Sequence, residues 1–83
     1  MLSASIDNLI KDLKPRQRDV LISRFGLDDG KKKTLASIGG KYNLTRERIR
    51  QIEEEALRTV QNHIDEKEKS IKEIKGLIAG HLE

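Results

Sequence analysis

Residues 34–51 (TLASIGGKYNLTRERIRQ) constrain the fold of this chain more than any other stretch. If residues 35–42 form a helix, Leu35, Ile38 and Tyr42 lie on one side of it. Asn43 follows, and Asn tolerates the positive φ that a tight turn often requires. The apolar positions that would face this helix from a second one are Leu44, Ile49 and Ile52. The stretch therefore predicts two short helices packed across a tight turn.

Small and capping residues support the same prediction. Thr34 and Thr45 stand just before the two helices, where a hydroxyl can accept a hydrogen bond from a free backbone N–H. Gly39 lacks a side chain at a position where the two helices would approach closely. A helix-turn-helix joins its helices through such a short turn and places the second helix in the major groove of DNA.

The outward face of the second helix carries side chains suited to nucleic acid. They are Arg46, Glu47, Arg50 and Gln51. Such groups can reach base edges and phosphates. Two packed helices with an incidental charged face would show the same apolar spacing. The clustering of these side chains at the start of the helix nevertheless favours DNA recognition.

The composition limits the chain to a small domain without thiol chemistry. A chain of 83 residues makes one domain with a small core. Hydrophobic residues make up 35% and aromatic residues 2%, so the packing must rest on Leu, Ile and Val. Cysteine is absent, which excludes disulfides and thiolate metal sites. No apolar run could span a membrane and no signal-peptide core is present, so a cytoplasmic protein without membrane association is expected.

The net charge of +3 is unevenly distributed. Residues 1–61 contain 13 Lys and Arg against 9 Asp and Glu, whereas residues 62–83 contain 4 against 5. The basic excess therefore lies with the predicted helix-turn-helix, and a polyanion is its natural partner. We expect residues 1–61 to form the domain and residues 62–83 to form a helical extension or linker.

The remaining pattern is also helical, which predicts an all-α bundle of about four helices with an extended C-terminal helix. The first helix is expected over residues 5–13. The second begins at Pro15, whose fixed φ suits a first helical position, and ends at Phe25 before Gly26. The fourth helix has no evident breaker before Gly76, which allows about 30 residues and a length of about 45 Å. The residues of the first two helices that we expect to be buried are Ile6, Leu9, Ile10, Leu13, Val20, Leu21 and Phe25.

The second half of the fourth helix repeats apolar residues at alternating spacings of three and four. These residues are Leu57, Val60, Ile64, Ile71, Ile74 and Ile78, with Lys67 interrupting the series. A heptad-like stripe of this kind has to pack on something. The alternatives are the first helix, a second copy of the chain and a following domain. If a second copy covers the stripe, we expect a weak homodimer, because Lys67 would weaken a coiled coil.

No residue pattern indicates catalysis. His63 and His81 are the only histidines, and exposed helix positions account for both. The glutamates at 53–55 are consecutive, so they fan around a helix as a solvated face and do not converge. The Gly-Gly pair at 39–40 lacks the preceding strand and the following Lys-Ser/Thr of a phosphate loop. We therefore expect no enzyme, no cofactor and no metal site.

Short motifs are spread along the chain at fixed distances. They are PR at 15–16, RFGL at 24–27, TL at 34–35, IG at 38–39, TRERIRQIE at 45–53 and AL at 56–57, with the segment LDDGKKK between RFG and TL. Over residues 9–60 this pattern resembles region 4 of the sigma-70 family, the specificity subunits of bacterial RNA polymerase. The TRERIRQIE motif at that spacing is very specific.

The resemblance implies that the second helix of the motif recognises the −35 promoter element. The positions implied to reach bases or nearby phosphates are Arg46, Glu47, Arg50 and Gln51. The positions implied to contact or support the DNA backbone are Arg16, Arg24, Thr34, Thr45 and Arg48. The chemistry agrees, because Arg can bridge guanine O6 and N7, Gln can pair with adenine, and Glu can accept from cytosine N4. The implied protein partners are the flap of the polymerase β subunit, bound through an apolar surface, and activators or anti-sigma proteins.

The chain departs from the family pattern at several places. Ser37 stands where the family is usually acidic, which removes a capping box at Thr34, and Glu55 stands where it is often basic. Further residues follow position 60, and nothing upstream resembles region 2, which reads and melts the −10 element. We therefore expect either an excised domain or a separate region-4-like regulator. The alternative to DNA recognition is a protein-interaction module of the same fold, with polymerase, an anti-sigma protein or its own copy as partner.

Overall fold

A computed structural model describes residues 4–82, and it describes side chains for residues 7–80. Within residues 4–82 it contains four α-helices and no strand: α1 Ala4–Ile10, α2 Pro15–Phe25, α3 Leu35–Tyr42 and α4 Arg46–Leu82. These elements confirm the predicted all-α helix-turn-helix bundle with an extended C-terminal helix. The predictions for the side chains of Ile6 and His81 lie outside the described residues.

The first helix is shorter than predicted. It ends at Ile10 and not at residue 13, and Leu13 is nevertheless buried, with 5% of its surface exposed. After Ile10 the chain tightens into a turn in which the N–H of Leu13 donates to the carbonyl of Ile10 at 3.1 Å. Pro15 then prevents helical geometry in the residue before it. Lys14 accordingly has φ −58° and ψ 146°, so the chain must leave the helix before it reaches Pro15.

The second helix has the predicted bounds but a different buried face. Gly26 adopts the left-handed conformation (φ 64°, ψ 39°), and its N–H donates to the carbonyl of Ile22, which ends the helix. Val20 and Leu21 are buried as predicted. The prediction that Phe25 is buried is wrong, because its side chain is 42% exposed. The buried face is centred on residues 20–22 and does not extend to the last turn.

The turn between α3 and α4 has the chemistry that its sequence predicts. Asn43 adopts the left-handed conformation with φ 57° and ψ 44°. The N–H of Leu44 donates to the carbonyl of Gly39 at 2.8 Å, which closes the turn. A Cβ atom on Gly39 would lie 2.5 Å from the carbonyl oxygen of Leu44, so only glycine permits this approach.

Two apolar clusters hold the helices together, and α4 contributes to both. The first cluster consists of Ile10, Leu13, Leu21 and Ala56. The second cluster consists of Val20, Ile38, Ile49 and Ile52. Ile49 is completely buried and Ile52 is 4% exposed, so the start of α4 is fixed in rotation against α2 and α3. This packing turns the opposite side of the helix outwards.

The fourth helix is longer than predicted, with 37 residues and a length of about 55 Å. It continues through Gly76 and Gly80. A glycine in a helix interior costs only about 1 kcal/mol relative to alanine, which does not stop a helix whose neighbours favour it. The helix gives the molecule its elongated shape of 59 × 24 × 16 Å. Within the part of the chain that the structure describes, no helix is both long and apolar enough to cross a membrane.

The apolar series along α4 is covered only near the domain. Val60 packs against the first cluster, and Ile64 is half-buried. Beyond them lies a surface that we call the distal stripe, formed by Ile71, Ile74 and Ile78, and all three residues are about half exposed.

Candidate nucleic-acid interface

The first two turns of α4 form an exposed polar surface. Its members are the four predicted base-reading residues, Arg46, Glu47, Arg50 and Gln51, which we call the reading face, and all of them are exposed. Buried Ile49 lies between them in the sequence and anchors the helix from behind. The hydroxyl of Thr45 accepts a hydrogen bond from the N–H of Arg48 at 3.0 Å, which caps the helix start as predicted. The predicted residues therefore share one solvent-facing side of a rigid element.

Arg50 is held in place by two carboxylates of its own helix. Its Nη2 and Nε atoms donate to Glu47 at 2.6 Å and 3.0 Å, and its Nη1 atom donates to Glu54 at 3.1 Å. The hydrogen bond from Arg50 holds the pKa of Glu47 below its usual range. The same bond raises the pKa of Arg50 further above neutrality, so the guanidinium is charged at every physiological pH. Both groups face solvent, so the pair orders the side chains and adds little to stability.

The predicted backbone-contacting residues fall into two groups. Arg16 projects from α2, and its guanidinium lies 4.3 Å from the centre of the Tyr42 ring, at the end of α3. Arg48 is exposed and donates to the amide oxygen of Gln51 at 3.3 Å. Thr34 caps α3 by accepting from the N–H of Ser37 at 3.1 Å. Thr34 and Arg48 thus lie at the N-terminal ends of α3 and α4, Arg16 lies at the start of α2 beside the end of α3, and all three residues are exposed.

Arg24 is placed differently from the other predicted backbone contacts. Its Nη1 atom donates to the carbonyl of Lys33 at 3.0 Å, and its Nε atom lies 3.4 Å from a carboxylate oxygen of Glu53. The Glu53 side chain is only 15% exposed, so the prediction that all three glutamates at 53–55 form a solvated face is wrong for this residue. Arg24 thus ties the α2–α3 loop to α4. The sequence could not reveal this pair, because its members are far apart in the chain.

The loop before α3 is a basic turn around Gly30, which its Gly and three lysines predict. The side chain of Asp29 accepts from the N–H of Lys31 at 2.9 Å and from the ammonium of Lys33 at 3.3 Å. The backbone hydrogen bond from Lys31 is the main reason that the pKa of Asp29 lies below its usual value. The N–H of Lys33 donates to the carbonyl of Ser23 at 3.0 Å. These bonds place three consecutive lysines directly before the N-terminus of α3.

Other kinds of site find no support in the described part of the chain. Among those residues, no group of His, Asp and Glu side chains could hold a metal ion. A shallow depression of roughly the size of a small ligand lies at the start of α4, but Arg46, Glu47 and Arg50 line it together with Leu35 and Thr45, so it is part of the same surface. The predicted partner-helix residues Val60, Ile64, Ile71, Ile74 and Ile78 lie along α4, away from the reading face.

Comparison with known proteins gives one consistent result. The family described as sigma-70, region 4, matches residues 9–62. Over 62 residues the chain is 53% identical to the RNA polymerase sigma factor SigA of Microcystis aeruginosa and to that of Synechocystis, covering 75% of this chain and 15% of each relative. It is 49% identical over 55 residues to the RNA polymerase principal sigma factor HrdD of Streptomyces coelicolor, covering 66% of this chain and 17% of that protein. The match therefore spans only about one sixth of the length of these relatives.

Proposed function

The chain belongs to the sigma-70 region 4 family, and from that premise we propose that it binds promoter DNA at a −35-like element and couples that binding to RNA polymerase in transcription initiation or its regulation. The observation that carries the proposal is the reading face. It is exposed, begins at a capped helix N-terminus and is backed by buried Ile49. A helix presented in this way can enter a major groove.

We assign base contacts by the hydrogen-bonding groups of each side chain. Arg46 and Arg50 can donate to guanine O6 and N7, Gln51 can pair with adenine, and Glu47 can accept from cytosine N4. Arg50 is already oriented by Glu47 and Glu54, so DNA binding exchanges carboxylate contacts for contacts to a base or a phosphate.

We assign phosphate contacts to the residues around the turn. Thr45 and Arg48 lie at the start of α4, Thr34 caps α3, and Arg16 lies against Tyr42 at the end of α3. At the helix starts, phosphates would receive both side-chain and backbone donors. Arg24 has a supporting part in this proposal, because its guanidinium is bonded to Lys33 and Glu53. It would fix the loop that leads into α3.

RNA polymerase core is the proposed protein partner, through the flap of its β subunit, and the chain would then act in the cytoplasm. An apolar surface suits this contact, and Phe25 and Leu57 are large apolar residues exposed at 42% and 43%. An activator or an anti-sigma protein could use the same domain. A second candidate function, a protein-interaction module with DNA secondary, is favoured by the distal stripe. In both cases we propose residues 1–61 as the domain and residues 62–83 as its helical extension.

The decisive experiment measures binding to a −35-like duplex and to a permuted duplex at fixed salt. Arg50→Ala should cost about 1–3 kcal/mol on the −35-like duplex and much less on the permuted one, because a base contact carries sequence information. Arg16→Ala should weaken both equally and reduce the salt dependence, because phosphate contacts release counterions. Lys69→Ala removes the same charge from the far half of α4 and is the matched control, with little expected effect. Equal losses on both duplexes for Arg50→Ala would contradict base reading by that residue.

The polymerase half of the proposal needs a separate measurement. A fluorescent label on the chain should report saturable binding to RNA polymerase core in the absence of DNA. Binding to polymerase with no preference for any duplex would favour the interaction module over the DNA reader.

A further inference from the structure

The distal stripe is an apolar surface that the domain leaves uncovered. Ile71, Ile74 and Ile78 are 49%, 54% and 52% exposed, and the adjacent Leu77 is 76% exposed. In a heptad that places Ile71 at an a position, Ile64 and Ile78 also lie at a, and Ile74 lies at d. The exposed residues thus have the spacing by which one helix packs against another.

Charged residues beside the stripe can select the direction of a partner helix. Glu68 and Lys75 both occupy e positions of this heptad, and both are exposed. They are seven residues apart, so about 10 Å of helical rise keeps them from pairing with each other. Within residues 4–82, neither of them takes part in an ion pair.

An antiparallel second copy would use both charges. In an antiparallel helix pair, e positions face e positions across the seam. With Ile71 opposite the partner subunit's Ile74, Glu68 lies within reach of the partner subunit's Lys75, and the twofold axis repeats both contacts. Lys67 then lies opposite the partner subunit's Ile78, where its methylene stem can pack while its ammonium stays in water.

A parallel pair would place the same residues unfavourably. Its e positions would face g positions, so Glu68 would meet His63 and Lys75 would meet Ser70 of the partner subunit, and no Glu–Lys pair would form. Lys67 would face its own copy at a d position, where like charges repel. The charge pattern therefore favours the antiparallel arrangement.

We propose that a second copy of this chain packs antiparallel on the distal stripe in this register. Residues 64–80 offer a contact only about 25 Å long, which is small for a stable interface, so the dimer is weak and depends on concentration. The inference concerns a surface separate from the reading face, and it stands whether or not the chain binds DNA.

Charge reversal tests the register. Sedimentation equilibrium across a concentration series would compare the wild-type chain with Glu68→Lys, Lys75→Glu and the double variant. Each single change turns two attractive pairs into two repulsive ones and should weaken association at least about five-fold. The double variant restores opposite charges across the seam and should recover association to within about two-fold of wild type. Glu and Lys have similar helix propensities, so circular dichroism should show unchanged folding in all four chains.

Whether the paired helices run antiparallel or parallel can be tested independently with introduced thiols, because the chain contains no cysteine. Ser70→Cys and Leu77→Cys place one thiol each at g positions, which face one another across an antiparallel seam. On mild oxidation of an equal mixture, a mixed 70–77 disulfide should dominate, whereas a parallel pair would hold its g positions on opposite sides of the seam and give little disulfide of any kind. A wild-type chain that remains monomeric at the highest soluble concentration would overturn the proposal. A double charge variant that fails to recover would overturn the register.

Discussion

The Arg50 side chain is already ordered by carboxylates of its own helix, and it would have to leave them in order to contact DNA. Glu47 and Glu54 hold its guanidinium from two sides on the helix surface, at 2.6 Å and 3.1 Å. These contacts limit the rotamers of a flexible side chain, which lowers the entropy cost of ordering it on DNA. They also add negative charge beside a surface that would meet phosphates. The two carboxylates therefore have opposing effects, and their balance can be measured.

Neutralising Glu54 should strengthen DNA binding more than neutralising its neighbour. Glu54→Gln removes one charge and also frees the Nη1 atom of Arg50, whereas Glu55→Gln removes one charge that has no contact with Arg50. We expect Glu54→Gln to exceed Glu55→Gln by about two-fold in affinity at low salt, which is the scale of an exposed ion pair. Fluorescence anisotropy with a common duplex is the measurement. Identical gains in the two variants would show that only the net charge matters.

At the scale of elements, the turn between α3 and α4 depends on one close backbone contact. Gly39 and Gly40 are adjacent in α3, but only Gly39 faces the turn. A Cβ on Gly40 would meet nothing within 4 Å, whereas a Cβ on Gly39 would meet the carbonyl oxygen of Leu44 at 2.5 Å. Backbone atoms cannot move aside as a flexible side chain can. Alanine should therefore lower the free energy of unfolding at Gly39 and raise it at Gly40.

Alanine substitution at these glycines makes a matched pair. Gly40→Ala should stabilise the domain by about 0.5–1 kcal/mol, because alanine loses less backbone entropy in a helix. Gly39→Ala should destabilise it by about 1–3 kcal/mol, because the helices must separate to admit the methyl group. Urea denaturation of both variants is the measurement. A neutral Gly39→Ala would mean that α3 and α4 pack less closely than the structure indicates.

The ends of α2 and α3 could be predicted from local chemistry, whereas the ends of α1 and α4 were misjudged although their signals are local as well. Pro15, Gly26 and Asn43 act within a few residues of their own positions, so the bounds of α2 and α3 were predicted correctly. The end of α1 was missed because apolar spacing was followed to Leu13, although Leu13 is buried from a turn and not from the helix. The length of α4 was underestimated because a single glycine was given too much weight.

On the candidate surface, features that follow from helical spacing could be predicted, and contacts that depend on how the helices cross could not. The exposure of the reading face followed from helical spacing, because Ile49 and Ile52 had to face inwards. The pairing of Arg24 with Glu53 depends on how the helices cross, and the solvent exposure of Phe25 depends on where that crossing ends. Neither could be inferred from neighbouring residues. The assignment of individual residues to bases or phosphates remains a proposal.

The whole molecule consists of a small bundle attached to a long helix. Among the residues whose side chains are described, two clusters of four buried residues each hold the bundle, and α4 contributes to both of them. A core of this size supports a total stability near the low end of the usual range, about 5 kcal/mol. The domain therefore tolerates little loss of buried apolar surface in its core. The far half of α4 contributes almost nothing to that core.

The same Ile→Ala substitution should therefore change the stability of the domain by different amounts in the two halves of α4. Ile49→Ala removes a completely buried side chain and should cost about 2–4 kcal/mol, enough to unfold much of the domain at moderate temperature. Ile71→Ala makes the same chemical change at a half-exposed position and should leave the melting temperature nearly unchanged in dilute solution. Thermal melting followed by circular dichroism compares them. Similar shifts for both would show that the far half of α4 packs on the bundle.

Because α4 is one uninterrupted helix, distance along it and rotation about it are linked as in a screw. Each residue adds about 1.5 Å and about 100°, so the direction of the distal stripe is set by how many residues separate it from the reading face. Counted from Arg50, Ile71 lies about a sixth of a turn to one side, towards the buried edge of the helix. Inserting one residue between them would rotate the stripe by about 100° about the helix axis. Inserting seven residues would almost restore its original direction and move it about 10 Å further from Arg50. The number of residues between the reading face and the distal stripe therefore fixes the angle between a partner bound to the stripe and any molecule bound to the reading face.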